Sequence, residues 1–294
     1  FINDWKNDMS MEKPNVFVTR RLPSLIQTRM SELFRAHLNS ADEPMSQEQL
    51  KEAVQSCDIL VPTVTDRIDS DIIDAAGPQL KMIANFGVGV NHIDLEAARK
   101  RKIIVTNTPD VLTEDTADIA IALLLSVARR FAEGERLVRD GAWEGWSPTG
   151  MLGHRVWGKR LGIIGMGRIG QAVARRANGF GIAVHYHNRS PIASDLEDEL
   201  RATYWADLDD MLGHMDIVSL NAPATSETHH ILNAERLAKL QSHAIVINTA
   251  RGDLIDEEAL ATALIEEKIA GAGLDVYEHE PRVNDKLTGL NNVV

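Results

Sequence analysis

The sequence predicts an α/β protein of two domains, each a parallel sheet wound on both faces by helices. Three observations predict it. From Asn15 onward, short apolar runs rich in β-branched residues alternate with helical patterns, and such alternation builds parallel sheets. A long apolar helix from Thr113, followed by a loop rich in tryptophan and glycine (Gly141 to Pro148), interrupts the alternation and splits the strands into two blocks. At 294 residues the chain can bury two medium cores. The expected division is residues 15–109 and 110–294, with residues 1–14 as a disordered leader or a segment foreign to the fold.

In the first block, Asn15-Val16-Phe17-Val18-Thr19 reads as a strand and Leu25 to Leu38 as a helical stretch. The strand Ile59-Leu60-Val61, a helix over Ile72 to Ala76 and the strand Met82-Ile83-Ala84 follow. A helix over Leu95 to Arg101 and the strand Ile103-Ile104-Val105 close the block. Thr113 is the expected N-cap of the long helix, with Glu114 and Asp115 in its first turn and apolar residues to Val127. Being apolar around most of its circumference, that helix is expected to be buried between layers or domains.

The second block repeats the pattern: a strand over Arg160 to Ile164, a helix to about Phe180, and a strand over Ala183 to Tyr186. A helix over Asp207 to Leu212, the strand Ile217 to Leu220 and a further helix come next. The strands Ala244 to Asn248 and Gly271 to Asp275 complete it.

Composition narrows the function. The net charge is −12, with acids and bases mixed along the chain, which disfavours nucleic acid or an anionic membrane as the main partner. The longest apolar run, Ile119 to Leu125, is far shorter than the ~20 residues of a membrane span. A single cysteine, Cys57, allows no internal disulfide, so a reduced cytoplasmic setting is expected. Preceding an apolar run, it reads as core filler rather than a nucleophile. No metal site is expected.

Chemistry concentrates at Gly165-Met166-Gly167-Arg168-Ile169-Gly170. A bare GxGxxG is weak evidence, but here a buried-strand pattern precedes it, a helix follows and another strand comes after. In that context Gly165 permits the tight turn, Gly167 lets the backbone approach a pyrophosphate, and Gly170 lets helix and strand pack closely. The N–H groups at the helix start then face the phosphates. This is a Rossmann dinucleotide-binding pattern.

Past the next strand, the place of an acid that would grip both ribose hydroxyls is taken by Asn188, followed by Arg189 and Ser190. A carboxylate there would repel a 2′-phosphate, whereas a guanidinium with amide and hydroxyl neighbours can bind one. NADP(H) is therefore the expected cofactor. The alternative is that Arg189 only stacks on adenine and NAD(H) is used.

Three further stretches are Asn85-Phe86-Gly87-Val88-Gly89-Val90-Asn91-His92-Ile93-Asp94, Asn248-Thr249-Ala250-Arg251-Gly252, and Leu274-Asp275-Val276-Tyr277-Glu278-His279-Glu280-Pro281. With the glycine turn, in this order, they make the chain resemble the D-isomer-specific 2-hydroxyacid dehydrogenases from about Asn15 to its end. The resemblance implies a flavodoxin-like substrate domain before the Rossmann domain, with the site in the cleft between them. It implies that Arg251 pairs with the substrate carboxylate and polarises the keto oxygen, which suits a permanently charged, bidentate guanidinium. It further implies that the Val88 and Gly89 N–H groups hold the carboxylate. Glu280 would orient a catalytic histidine, while Thr249, Ala250, Asp275 and the Ala222-Pro223 turn line the nicotinamide and its ribose.

Tyr186-His187-Asn188-Arg189 and Trp146-Ser147-Pro148-Thr149 resemble the glyoxylate/hydroxypyruvate reductase branch. The activity then implied is reduction of a small 2-oxo acid to the D-2-hydroxy acid, in a homodimer built on the interdomain helix.

The family's histidine stands in a Pro-His-Ile/Leu-Gly segment beyond the glutamate, and none of the ten histidines here lies in one. His92 reads as structural within the substrate loop motif, His37 lies on a first-block helix, and the other eight read as surface, cap or satisfied core groups. The expectation is a truncated chain, itself impaired for want of the proton donor. Two rivals stand beside this reading. Formate dehydrogenase would carry further substrate-loop residues and an acid at the adenosine position. A non-catalytic dinucleotide sensor could keep both arginine and glutamate.

Overall fold

A computed structural model describes residues 12–294; residues 1–11 of the expected leader lie outside the described residues. The chain divides into two compact units, the first ending at Pro109 and the second running Asp110–Val294.

In the first unit the elements are β1 (Asn15–Val18), α1 (Ser24–Leu33), β2 (Arg35–Leu38), α2 (Gln47–Ser56) and β3 (Ile59–Val61). They continue with α3 (Ser70–Asp74), β4 (Met82–Ala84), α4 (Leu95–Lys100) and β5 (Ile104–Thr106). All strands are parallel, in the order β2-β1-β3-β4-β5, the flavodoxin-like doubly wound order. Val16 and Val18 join Leu22 and Val61 in one buried cluster, while Phe17 packs against the other, formed by Leu50, Leu60, Ile72 and Ile83 among others. That split is the period-two alternation of a strand with both faces covered.

The helix expected over Leu25 to Leu38 is corrected. It stops at Leu33, Phe34 turns extended, and Arg35–Leu38 becomes an edge strand paired with β1. Exposed and half-buried residues alternate along Arg35–Leu38, and Asn15 pairs with Arg35. His37 accordingly lies on this strand, its ring stacked on Phe17 at 5.6 Å. α2 was absent from the expectation although Ser46 and Gln49 form a reciprocal capping box at its start.

The second unit comprises α5 (Thr113–Ala128), α6 (Phe131–Arg139), β6 (Arg160–Ile164), α7 (Arg168–Gly179), β7 (Ala183–His187) and α8 (Ser194–Leu200). Next come β8 (Ala202–Tyr204), α9 (Leu208–Leu212), β9 (Ile217–Leu220), α10 (Ala234–Leu237) and β10 (Ile245–Asn248). A 3-10 turn (Gly252–Leu254), α11 (Glu257–Ile265), β11 (Gly271–Leu274) and α12 (Asp285–Thr288) complete it. The parallel order is β11-β10-β9-β6-β7-β8, the Rossmann arrangement, whose order reverses between β6 and β9. The expected fold class is thus borne out.

Thr113 is the first helical residue of α5 rather than its cap. Leu112 occupies the cap without a side-chain bond, and Glu114 and Asp115 supply the favourable first-turn charge. α5 lies against α7, β10 and β11, burying Ala117, Ala120, Ile121, Leu124, Val127 and Ala128 within the second unit.

At the N-terminal ends of the second unit's strands, Asp216 gathers two cations and an imidazole. Its Oδ2 accepts the Arg160 N–H at 2.8 Å and Arg160 Nε at 3.3 Å, and its Oδ1 meets His243 Nε2 at 2.6 Å. Lys159 stands at 3.6 Å. Burial would raise this carboxyl, but the Arg160 N–H, His243 and the two basic side chains hold it at about 2. A depressed value contributes stability that is present above the unfolded-state value, about 3.9, and lost as pH falls through about 2. Asp216→Asn is therefore expected to cost about 2 kcal/mol at neutral pH in urea unfolding. The gap from the parent should close between about pH 4 and pH 2; a gap unchanged across that window would contradict the assignment.

Candidate active site

The glycine turn sits where the second sheet reverses its order. β6 ends at Ile164, and the Asn221 N–H donates to the Ile164 carbonyl at 2.8 Å, so the chain leaving β9 passes directly beside the turn. Gly165 adopts φ +98°, and a Cβ there would lie 2.7 Å from Ala222 N. Only glycine meets both conditions. A Cβ on Gly170 would strike the Gly165 carbonyl oxygen, so α7 closes tightly on the turn. At Gly167, by contrast, a Cβ would have nothing within 4 Å. The space beside that residue is open.

A cavity of about 700 Å³ opens at this point, lined by Gly165, Gly167, Asn188, Arg189, Ser190, Ala222 and Pro223 among the expected residues. The Met166 N–H donates to Asn188 Oδ1 at 2.8 Å, so Asn188 clasps the glycine turn. The loop carrying Arg189 is pinned at both ends. Tyr204 Oη donates to the Asn188 carbonyl at 3.2 Å, and the fully buried Tyr186 hydroxyl accepts the Ile192 N–H at 2.9 Å while donating to Glu197 at 2.5 Å. Burial first, and then Glu197, push the Tyr186 hydroxyl up to about 12, so it stays protonated as a fixed strut.

Arg168 turns its guanidinium to Asp110 at 2.7 Å. Neither it nor Ile169 is among the residues that line the cavity, and the Ile169 side chain packs against the core. The sequence reading missed several lining residues: His187, Asp207, Asn221, Thr225, Glu227 and Arg236. Asn221 follows a strand tip as Gly165 does, and that position was its available signal.

A second group of expected residues collects at the C-terminal ends of β10 and β11. The Arg251 turn is built by Asn248, whose Nδ2 donates to the Arg251 carbonyl at 2.8 Å and whose Oδ1 accepts the Ala250 N–H at 3.0 Å. Arg251 Nη1 donates to the Ala250 carbonyl at 2.6 Å. Gly252 lies flat on the Tyr277–Glu278 peptide, with no room for a Cβ, which joins this turn to the loop after β11. In that loop Glu280 Oε1 accepts the Tyr277 N–H at 2.9 Å. The Asp275 carboxyl is raised, first by desolvation and then by the charge of Glu280. Thr249 is buried, and its Oγ1 has no hydrogen-bond partner among the described residues.

His230 departs from its bland reading. Its Nε2 meets Glu278 Oε1 at 2.8 Å, its ring stacks on His229 at 3.9 Å, and its N–H donates to the Asp253 carbonyl. It braces the far side of the Arg251 turn. Val88 and Gly89 belong to the first unit, in the loop after β4.

The residues fit a dinucleotide. Gly167 leaves room for one, and Asn221 Oδ1 and Thr249 Oγ1, near the strand tips, are buried polar atoms without partners among the described residues, the kind of group that a ligand satisfies. Among the described residues no group of three or more His, Cys, Asp or Glu is placed to hold a metal, and no helix is long and apolar enough to cross a membrane. Cys57 is buried and its thiol raised to about 12 by that burial, far from a nucleophile.

Fold and cavity define a nicotinamide-dinucleotide-binding protein of two doubly wound sheets. Residues 121–294 match the family model for the NAD-binding domain of D-isomer-specific 2-hydroxyacid dehydrogenases. A protein named glyoxylate reductase from Korarchaeum cryptofilum is 48% identical over 284 residues, covering 96% of this chain and 85% of that one. A D-isomer-specific 2-hydroxyacid dehydrogenase structure from Polaromonas superposes with a TM-score of 0.88 at 40% identity, over 96% and 88% of the two chains. An NADPH-dependent glyoxylate/hydroxypyruvate reductase from Sinorhizobium meliloti, solved with NADP and malonate, gives 0.83 at 35% identity, over 96% and 85%. The chain belongs to the D-isomer-specific 2-hydroxyacid dehydrogenase family.

Proposed function

We propose that the protein reduces a small 2-oxo acid, glyoxylate or hydroxypyruvate, to the D-2-hydroxy acid, using NADP(H) in preference to NAD(H). The observation that carries this reading is Arg251, a guanidinium held by its own turn at a strand tip of the same sheet whose switch point carries the dinucleotide cavity. The names of the relatives support the same substrate class.

In this reading the bound reduced nicotinamide supplies the hydride. Arg251 binds the substrate carboxylate and stabilises negative charge developing on the keto oxygen. The N–H groups of Val88 and Gly89 contribute to carboxylate binding. Glu280 orients the histidine that donates the proton. Gly165, Gly167, Arg168, Ile169 and Gly170 cradle the pyrophosphate, and Ala222, Pro223, Thr249, Ala250 and Asp275 border the nicotinamide riboside. Arg189, with Asn188 and Ser190, takes the 2′-phosphate.

Glu227 lines the same cavity, and Arg189 contributes to holding its carboxyl low, after Thr225 and Ser226. The other arginine that lines the cavity, Arg236, is paired with Asp209 at 2.8 Å, which leaves Arg189 as the cation assigned to the 2′-phosphate. With glyoxylate as substrate, kcat/KM is expected to be higher with NADPH than with NADH, and Arg189→Ala to abolish the preference. A higher value with NADH in the parent would sink the cofactor assignment. Dinucleotide binding without turnover with either cofactor would favour a sensing role. We further propose a cytoplasmic homodimer. The exposed Phe131, Val138, Trp143, Trp146, Leu152 and Trp157 on α6 and the loop after it support that assembly.

A further inference from the structure

The loop after β4 carries three consecutive carbonyls that are each held by a donor of the first unit. Asn85 is 2% exposed, and its Nδ2 donates to the carbonyls of Gly87 at 3.1 Å and of Gly89 at 2.9 Å. Asn107 Nδ2 donates to the Val88 carbonyl, between them, at 2.9 Å. The Thr108 N–H adds a second bond to Gly87 at 3.0 Å. Asn85 is itself anchored. Its N–H donates to the Thr106 carbonyl at 2.9 Å, and its Oδ1 meets His92 Nε2 at 3.0 Å, an arrangement that assigns Nδ2 to the loop carbonyls.

A trans peptide sets its C=O and the following N–H antiparallel. Turning the carbonyls of Gly87, Val88 and Gly89 toward Asn85 and Asn107 therefore turns the N–H groups of Val88, Gly89 and Val90 the other way. None of those three has an acceptor within the described residues. Successive N–H groups aimed to one side form an anion site, and a carboxylate has lone pairs enough to accept all three. The arrangement uses two amide side chains to do what a helix N-terminus does with its own backbone.

We infer that Asn85, assisted by Asn107, is the positioning residue of the substrate loop: it holds the loop's carbonyls inward so that the Val88, Gly89 and Val90 N–H groups are preset for the carboxylate of the 2-oxo acid. Neither side chain touches substrate. The inference rests on the proposed reduction, and adds Val90 as a third donor to it. A loop that is merely stiffened would lose stability on substitution without changing substrate affinity selectively, whereas a preset anion site loses affinity for the anion and keeps affinity for the dinucleotide.

Two variants separate these outcomes. Asn85→Asp keeps the volume and the acceptor facing His92 but puts an oxygen where the two carbonyls need a donor. Asn107→Ala removes one donor from an exposed position, where folding is not at risk. In the full-length protein saturated with NADPH, the KM for glyoxylate is expected to rise at least about tenfold in Asn85→Asp and about threefold in Asn107→Ala. Oxalate binding should weaken in parallel, while kcat and the NADPH Kd stay within about twofold. Folded variants whose glyoxylate KM and oxalate affinity match the parent would overturn the inference and leave the proposed reduction standing. A parent protein that binds NADPH but neither turns over glyoxylate nor binds oxalate would overturn both.

Discussion

Replacing Arg251 with glutamine is expected to lower kcat/KM for glyoxylate by about 10²–10³-fold, the range seen when a preset charge-stabilising donor is removed from a site. The dinucleotide Kd should stay within about twofold. The magnitude follows from what the turn spends on one side chain. Both ends of the Asn248 amide are committed to the Ala250–Arg251 backbone. Gly252 lies against the Tyr277–Glu278 peptide too closely for any other residue, and His230 and Glu278 support that contact from behind. A guanidinium fixed in this way meets a carboxylate with little rotamer entropy left to lose. Arg251→Lys should recover only a small part of the loss, because an ammonium cannot reproduce the paired donors. A glutamine variant within tenfold of the parent would remove Arg251 from the site.

The second large effect is expected at Gly165. Alanine there is penalised twice, by φ +98° and by a Cβ 2.7 Å from Ala222 N and 2.8 Å from Asn221 C. Backbone strain alone costs about 1–2 kcal/mol, and neither contact is a flexible side chain able to move aside. Gly165→Ala should lower the melting temperature and raise the NADPH Kd by more than about 100-fold, since the switch point itself must open. Gly167→Ala is the control. Its φ is −76° and the space around its Cβ is open, so stability should hold while NADPH affinity still falls. Normal NADPH binding by Gly165→Ala would contradict the cradle.

The sequence was legible where a residue's environment is made by its chain neighbours. Both sheets could be read from apolar strands because both faces of each are covered, and the glycine motif could be read because strand and helix flank it. Legibility failed at edges and caps. Arg35–Leu38 is four residues long and only half buried, so its period of two was too brief to compete with the helix beside it. The α8–β8 crossover that ends in the edge strand of the second unit's sheet, Ser194–Tyr204, was missed for the same reason.

At the candidate site, the residues named from motifs are those to whose backbone or charge the proposed function assigns a ligand contact. Their supports are long-range in sequence. Asn85 and Asn107 meet through carbonyls between them, His230 and Glu278 are 48 residues apart, and Tyr186 reaches forward to Glu197 and Ile192. No local spacing announces such pairs.

The central claim is that a carboxylate-reading arginine and a nicotinamide dinucleotide act together on a 2-oxo acid. Incubation of the full-length protein with hydroxypyruvate and NADPH, followed by chiral analysis of the product, tests it most directly. The account predicts D-glycerate formed in step with NADPH oxidation, and loss of that product in Arg251→Gln. L-glycerate, or NADPH that binds and is never oxidised, would contradict it.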